Sequence, residues 1–280
     1  MDILRLVSPI PAEALRTRRE APRAPAWSLL LSPPASGAFN MALDEALMTR
    51  ARDTGAIILR VYEWAAPTLS LGRHQTARGL YDLDAALARG VGFVRRPTGG
   101  RAVLHHREIT YSVAAPVRAL GALPESYRRI NRLLLEALRR LGVNAGLAQP
   151  SGVAPHPGVA PCFEEPVAGE IVAGGRKLVG SAQWRDREAL LQHGSILVDD
   201  DQSLASALLR SPVPPPPAPA TLRLLTGRAP AAADFAAALA RAVEAEERAA
   251  VDVFALDDDL RADARALSGH YESDTWTWRR

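Results

Sequence analysis

The stretch that decides the fold runs Cys162-Phe163-Glu164-Glu165-Pro166, then Gly174-Gly175-Arg176-Lys177-Leu178-Val179-Gly180-Ser181-Ala182-Gln183, then Leu191-Gln192-His193-Gly194-Ser195-Ile196-Leu197-Val198. The Gly-Gly pair reads as a hairpin turn. Leu178 to Trp184 and Ala189 to Val198 read as two strands, with Asp186-Arg187 between them. Side chains alternate along a strand, which puts Lys177 and Val179 on one face. The only cysteine of the chain opens the stretch, fifteen positions before Lys177. A lone thiol, a lysine and a run of small residues form a pattern suited to acyl transfer.

Outward from this stretch the chain alternates strands and helices without a regular βαβ period. Trp27 to Leu31, Ile57 to Tyr62, Thr68 to Leu71, Gly92 to Arg95 and Ile109 to Ala114 read as strands. Ala38 to Arg52 reads as an amphipathic helix with Phe39, Leu43, Ala46 and Leu47 on one face and Asn40, Asp44 and Glu45 on the others. Glu125 to Leu141 is a second helix, with Tyr127, Ile130, Leu134, Leu138 and Leu141 as its core stripe and Gly142 at its end. Shorter helices are expected at Asp82 to Ala88 and Ser203 to Arg210, and longer ones at Ala231 to Arg248 and Asp257 to Ala266. The pattern predicts an α+β fold: a central mixed β-sheet flanked by helices. Residues 1–26, with four prolines and five arginines, read as a flexible arm. Residues 27–248 read as the catalytic domain, with a stiff proline-rich connector at 211–219, and residues 249–280 as a helical extension.

Composition limits the function classes. Of 280 residues, 48% are hydrophobic and 23% charged, enough apolar content for a real core. The net charge of +3 is supplied almost wholly by arginine, which suits an acidic partner and does not call for nucleic acid. One cysteine excludes an internal disulfide and a cysteine-based zinc site. The histidines show no ligand spacing, so neither a metal nor a cofactor is expected. No apolar window approaches the roughly 18 residues of a membrane span, and the N-terminus makes a poor signal peptide, so a cytoplasmic protein is expected.

The second candidate segment is Arg95-Arg96-Pro97-Thr98-Gly99-Gly100-Arg101-Ala102-Val103-Leu104-His105. Paired glycines let backbone approach a ligand closely, and arginines add charge-assisted donors; a plain strand-turn-strand explains the same residues. Gly99-Gly100 and Gly180-Ser181-Ala182 offer backbone N–H groups to a tetrahedral oxyanion. Val103, Leu178 and Val179 are candidate walls for a thin acyl chain. His105, His193 and Gly194 sit where they orient such a pocket, although structural histidines fit equally.

Three separated motifs, Asn40-Met41-Ala42-Leu43-Asp44-Glu45, the Arg95 to His105 segment and Gly175 to Gln183 with Gln192-His193-Gly194-Ser195, together resemble the lipoate–protein ligase, biotin–protein ligase and octanoyltransferase superfamily. The resemblance covers roughly residues 27 to 200. It implies a sheet related to the class II tRNA synthetase core, one pocket for a fatty acyl chain, and an active-site lysine matched by Lys177. The Cys162-Phe163 pair, with Gly-Arg-Lys after it, resembles the cysteine-dependent branch that loads the H protein of the glycine cleavage system. That branch implies octanoyl-acyl carrier protein as donor, a lipoyl-domain protein as acceptor, Cys162 as nucleophile and Lys177 as its partner. A thiol titrates near pH 8.5 and only its thiolate attacks well, so a neighbouring ammonium activates it. The acceptor lysine, with a pKa of about 10.4, must lose a proton, and Lys177 is a candidate to assist. Two other readings remain: an ATP-dependent ligase, with Arg96 and Gly99 to Arg101 along the nucleotide phosphates, and a non-catalytic subunit that docks lipoyl domains.

Overall fold

The computed structural model describes residues 26–149, 169–211, 213, 214 and 217–280. Residues 1–25 of the expected N-terminal arm, the 150–161 loop, Cys162 and three prolines of the expected connector lie outside the described residues. In chain order the elements are β1 (Trp27–Leu31), α1 (Gly37–Thr54), β2 (Ile57–Tyr62), β3 (Thr68–Leu71), α2 (Leu83–Ala88), β4 (Gly92–Arg95), β5 (Val103–His105), β6 (Glu108–Pro116), α3 (Val117–Leu120) and α4 (Leu123–Arg140). They continue with β7 (Gly146–Leu147), β8 (Ile171–Ala173), β9 (Arg176–Arg185), β10 (Ala189–Leu197), α5 (Ser203–Ala207), α6 (Leu222–Thr226), α7 (Ala232–Glu247), β11 (Val251–Val253), α8 (Asp258–Glu272) and α9 (Asp274–Thr277).

Eight strands form the main sheet in the order β11-β1-β2-β6-β10-β9-β8-β7, and three form a small sheet in the order β4-β3-β5. β1 runs parallel to β2 and β11, whereas β2, β6, β10, β9 and β8 pair antiparallel. The expected mixed sheet with flanking helices is therefore present. Among the strands not read from the sequence, β7 and β8 extend the far edge, and Val251–Val253, placed by the sequence in a helical extension, adds a parallel edge to β1.

Alternation along the strands sorts the two faces. Leu59, Val61, Ile109 and Val113 pack with Ile130, Leu134 and Leu138 of α4 and Phe235 and Leu239 of α7. Ile58, Ala114 and Leu191 point the other way, onto Leu43 and Leu47 of α1 and Leu260 and Ala264 of α8. Burying each such aliphatic side chain contributes about 1.5–3 kcal/mol, so these helices are held by their apolar stripes. Ser36 caps α1 by accepting from the Phe39 N–H, and Gly55 ends it in the left-handed conformation.

Asn40 and Asp44, read on the faces of α1 away from its apolar stripe, are both fully buried, because the sheet covers that side of the helix. One expectation is corrected. Lys177 and Val179 do not share a face. Ile171 pairs with Val179 and Val172 with Lys177, so two steps on β9 match one on β8. The extra residue makes a β-bulge at Leu178. It sends Val179 into the core with Ile171 and turns Lys177 to the opposite side.

The small sheet packs through Leu69, Leu71, Ala102 and Leu104 onto Tyr81, Ala86 and Leu208. The last residues of the chain hold it in place. Arg95 Nε donates to Thr277 O at 2.9 Å, Trp276 Nε1 donates to Arg95 O at 2.7 Å, and the Ala77 and Arg78 N–H groups both bond Arg280 O.

Candidate active site

A cavity of about 550 Å³ opens between the α1-facing side of the main sheet and the small sheet. Tyr62, Thr110, His193 and Ser195 project into it from β2, β6 and β10. Gly180 and Ala182 of β9 pair with Ser195 and His193 of β10, and their small size leaves the space open. Gly194 has no room for a side chain: a Cβ there would lie 2.5 Å from Gly180 O and 2.7 Å from the Tyr111 ring. The opposite wall is Ser70, Val103 and His105 with the loop Gly99-Gly100-Arg101.

Among the sequence-predicted residues, Arg96, Gly99, Gly100, Arg101, Val103, His105, Lys177, Gly180, Ser181, Ala182, His193 and Gly194 line this one cavity. Three expected substrate-binding residues do not. Ala102 turns into the core of the small sheet because it alternates with Val103. Leu178 and Val179 join the main core, a consequence of the bulge. Cys162 lies outside the described residues.

Arg96 is 5% exposed, and its guanidinium is turned onto the loop itself. Nη2 donates to Gly99 O at 2.8 Å and Arg101 O at 2.7 Å, and Nη1 donates to Ser70 O at 2.9 Å and Ser70 Oγ at 3.0 Å. These bonds compensate the buried charge and shape the turn. Gly100 adopts φ of 95°, and a Cβ there would sit 2.8 Å from Arg96 Nη2.

Two buried carboxylates fix the two cavity histidines. Asp44 Oδ1 accepts from Arg60 Nη1 and Ser112 Oγ, each at 2.8 Å; Oδ2 accepts from Tyr62 OH at 2.9 Å and meets His193 Nδ1 at 3.1 Å. His193 Nε2 lies 2.6 Å from Thr98 Oγ1, so an Nδ1–H imidazole donates to Asp44 and accepts from Thr98. The strand wall is thereby tied to the glycine loop. Burial pushes the Asp44 carboxyl up, but Arg60 and His193 outweigh it and hold it below its ordinary value. Burial also pushes the Tyr62 hydroxyl well up, with the Asp44 charge adding to it. On the other wall, His105 Nε2 lies 2.8 Å from Ser70 Oγ and its Nδ1 lies 3.2 Å from Glu108 Oε1. Trp64 stacks on the ring with centroids 4.0 Å apart. Burial lowers the His105 pKa although Glu108 opposes the shift, which favours a neutral imidazole at neutral pH.

Lys177 is the only lysine in the sequence. Its side chain is 1% exposed, and Nζ donates to Glu170 Oε1 at 2.7 Å. Glu170, Ser70, Trp64 and the Asp44–Arg60 pair were missed in the sequence. A signal for the last was present: Arg60 interrupts the apolar run Ile57 to Tyr62, and a buried arginine requires a buried counter-ion. Ser195 Oγ is buried in the wall without a hydrogen-bond partner among the described residues. No three His, Cys, Asp or Glu side chains among the described residues group as a metal site, and none of the described helices is long and apolar enough to cross a membrane.

The sheet order and the cavity between the two sheets define the lipoate–protein ligase fold. A crystal structure of lipoate-protein ligase A bound with ATP superposes with a TM-score of 0.73 at 23% identity, covering 90% of this chain and 98% of that one. A bi-partite lipoate protein ligase system of Thermoplasma acidophilum gives 0.73 at 22% identity, covering 91% and 96%. In sequence, residues 36–244 match the lipoyl protein ligase A/B catalytic domain. Octanoyltransferase LipM of Kyrpidia tusciae is 49% identical over 195 residues, which are 66% of this chain and 71% of that protein. LipM of Symbiobacterium thermophilum is 44% identical over 192 residues, 66% of this chain and 70% of that protein. The chain belongs to the lipoyl protein ligase A/B catalytic domain family, in its LipM octanoyltransferase branch.

Proposed function

We propose that the chain moves an octanoyl group from acyl carrier protein, through a thioester on Cys162, to a lysine of a lipoyl-domain protein of the glycine cleavage H protein type. The observation that carries this reading is the position of Lys177: the one lysine of the chain is buried in the wall of a cavity lined by small residues. The cavity volume falls within the roughly 300–1,000 Å³ of small-molecule sites. The donor is already an activated thioester, so transfer to the Cys162 thiol and then to an amine needs no nucleotide. In the first step the thiolate attacks the donor carbonyl and the carrier thiol leaves. In the second step the acceptor amine attacks the Cys162 thioester, an amide forms and the thiol is regenerated. The Lys177 ammonium favours the thiolate. Gly99-Gly100 and Gly180-Ser181-Ala182 are the candidate oxyanion donors, and Val103 and Ala182 bound the acyl chain.

The test is transfer of octanoate from octanoyl-acyl carrier protein to an H protein, with ATP and magnesium omitted. Full transfer supports the reading. Strict dependence on ATP, with AMP released, would place the chain with the ligases instead.

A further inference from the structure

Lys177 and Glu170 are joined by the most local route the fold offers. Glu170 immediately precedes β8, the Gly174-Gly175 turn reverses the chain, and Lys177 lies near the start of β9. The bulge at Leu178 swings Lys177 onto the cavity side, where Glu170 also lies. Their separation is 2.7 Å, with Lys177 1% and Glu170 11% exposed. In such a place water screens the pair weakly, so the carboxylate favours the ammonium form of Lys177.

The rest of the wall supplies no second carboxylate among the described residues. The other titratable or charged groups there are Tyr62 of β2, His74, Arg96 and Arg101 of the loops, His105 of β5 and His193 of β10. Tyr127 of α4 lies beside Gly169, next to Glu170. Asp44 and Glu108 stand behind His193 and His105 rather than on the cavity surface.

We propose that Glu170 is the positioning residue of Lys177: it keeps this lysine an ammonium and pins its Nζ at the cavity wall. Lys177 then serves as a fixed positive charge, not as an amine that collects the acceptor's proton. This replaces the expectation that Lys177 assists deprotonation. The use made of the charge rests on the acyl-transfer reading above; the pairing does not. Neutral lysine would be the better base, and a carboxylate at hydrogen-bond distance works against it. An ammonium, by contrast, stabilises both a thiolate and a tetrahedral oxyanion around neutral pH.

The chain's composition makes the test direct. Protein grown with ¹³Cε-lysine carries one labelled side chain, so one resonance reports Lys177 without assignment. Its chemical shift is followed against pH in the full chain, in Glu170→Gln and in Glu170→Asp. In the unsubstituted protein the resonance should stay in its ammonium position through pH 9. In Glu170→Gln the midpoint should fall by about 1–3 units, the effect of losing an opposite charge at contact in a desolvated place. Glu170→Asp should recover part of that shift. A midpoint unchanged by Glu170→Gln, or a lysine that titrates near neutrality in the unsubstituted protein, overturns the proposal. A matched urea midpoint for Glu170→Gln excludes a folding defect as the cause. No substrate enters this experiment, so it judges the pairing alone. Octanoyl transfer by the unsubstituted protein judges the functional reading.

Discussion

Replacing Asp44 with asparagine removes one negative charge and almost no volume. The consequence can be worked from the contacts. Arg60 is 0% exposed, and Asp44 Oδ1, at 2.8 Å, is its one carboxylate contact among the described residues. Its remaining bonds go to neutral acceptors: Asn40 O at 3.0 Å, Asn40 Oδ1 at 2.7 Å and Ser32 Oγ at 2.9 Å. Breaking a buried ion pair by removing one partner costs about 3–5 kcal/mol. The three surviving neutral bonds place Asp44→Asn at the lower end, about 3 kcal/mol. The amide also presents N–H where His193 Nδ1–H now donates, so the Thr98–His193–Asp44 chain loses its order. Urea unfolding should show a lower midpoint with an unchanged slope, since the surface exposed on unfolding is the same. The pH dependence has a definite sign. The folded pKa of Asp44 lies below its ordinary value, so its contribution is present above the unfolded pKa and is lost as pH falls through the folded one. The unsubstituted protein should therefore lose stability more steeply below about pH 4 than Asp44→Asn does. A loss under about 1 kcal/mol at pH 7, or parallel acid limbs, would refute the argument that this pair is a charged, buried tie.

Gly100→Val should slow octanoyl transfer at least tenfold while costing about 1–3 kcal/mol of stability, because a β-branched residue at φ of 95° strains the loop and presses on Arg96. Steady-state transfer and thermal melting check both, and an unchanged rate would show that the loop is only a turn. Lys177→Ala removes the cation that favours the thiolate, so acylation should fall most near neutral pH and partly recover as pH rises through the thiol range near 8.5. Normal acylation of Lys177→Ala at pH 7 would remove its activating role.

The sheet and its main helices were legible because their signals are local. Ile57 to Tyr62 and Ile109 to Ala114 are β-branched or apolar runs, and Ile130, Leu134 and Leu138 keep helical spacing. The glycine motifs brought most of the cavity lining with them. What escaped depends on non-local packing. A bulge leaves no mark on a pattern of period two, so Lys177 was placed on the wrong face relative to Val179. The burial of Asp44 was not legible because one helix cannot reveal that Arg60, on the next strand, needs it. Val251–Val253 is too short to announce itself against a helix-rich background. Glu170 was within reach: it lies seven residues before Lys177 across a recognisable Gly-Gly turn, and pairing the two strands would have brought it to the site.

The most direct test of the central claim is intact-mass spectrometry of the protein mixed with octanoyl-acyl carrier protein, without ATP and before any acceptor is added. The account predicts one octanoyl adduct on the unsubstituted chain, removed by hydroxylamine at neutral pH and discharged by addition of H protein. Cys162→Ala should show neither adduct nor transfer, since the chain has no second thiol. Transfer of octanoate by Cys162→Ala, or no adduct on a protein that transfers, would contradict a thioester on Cys162.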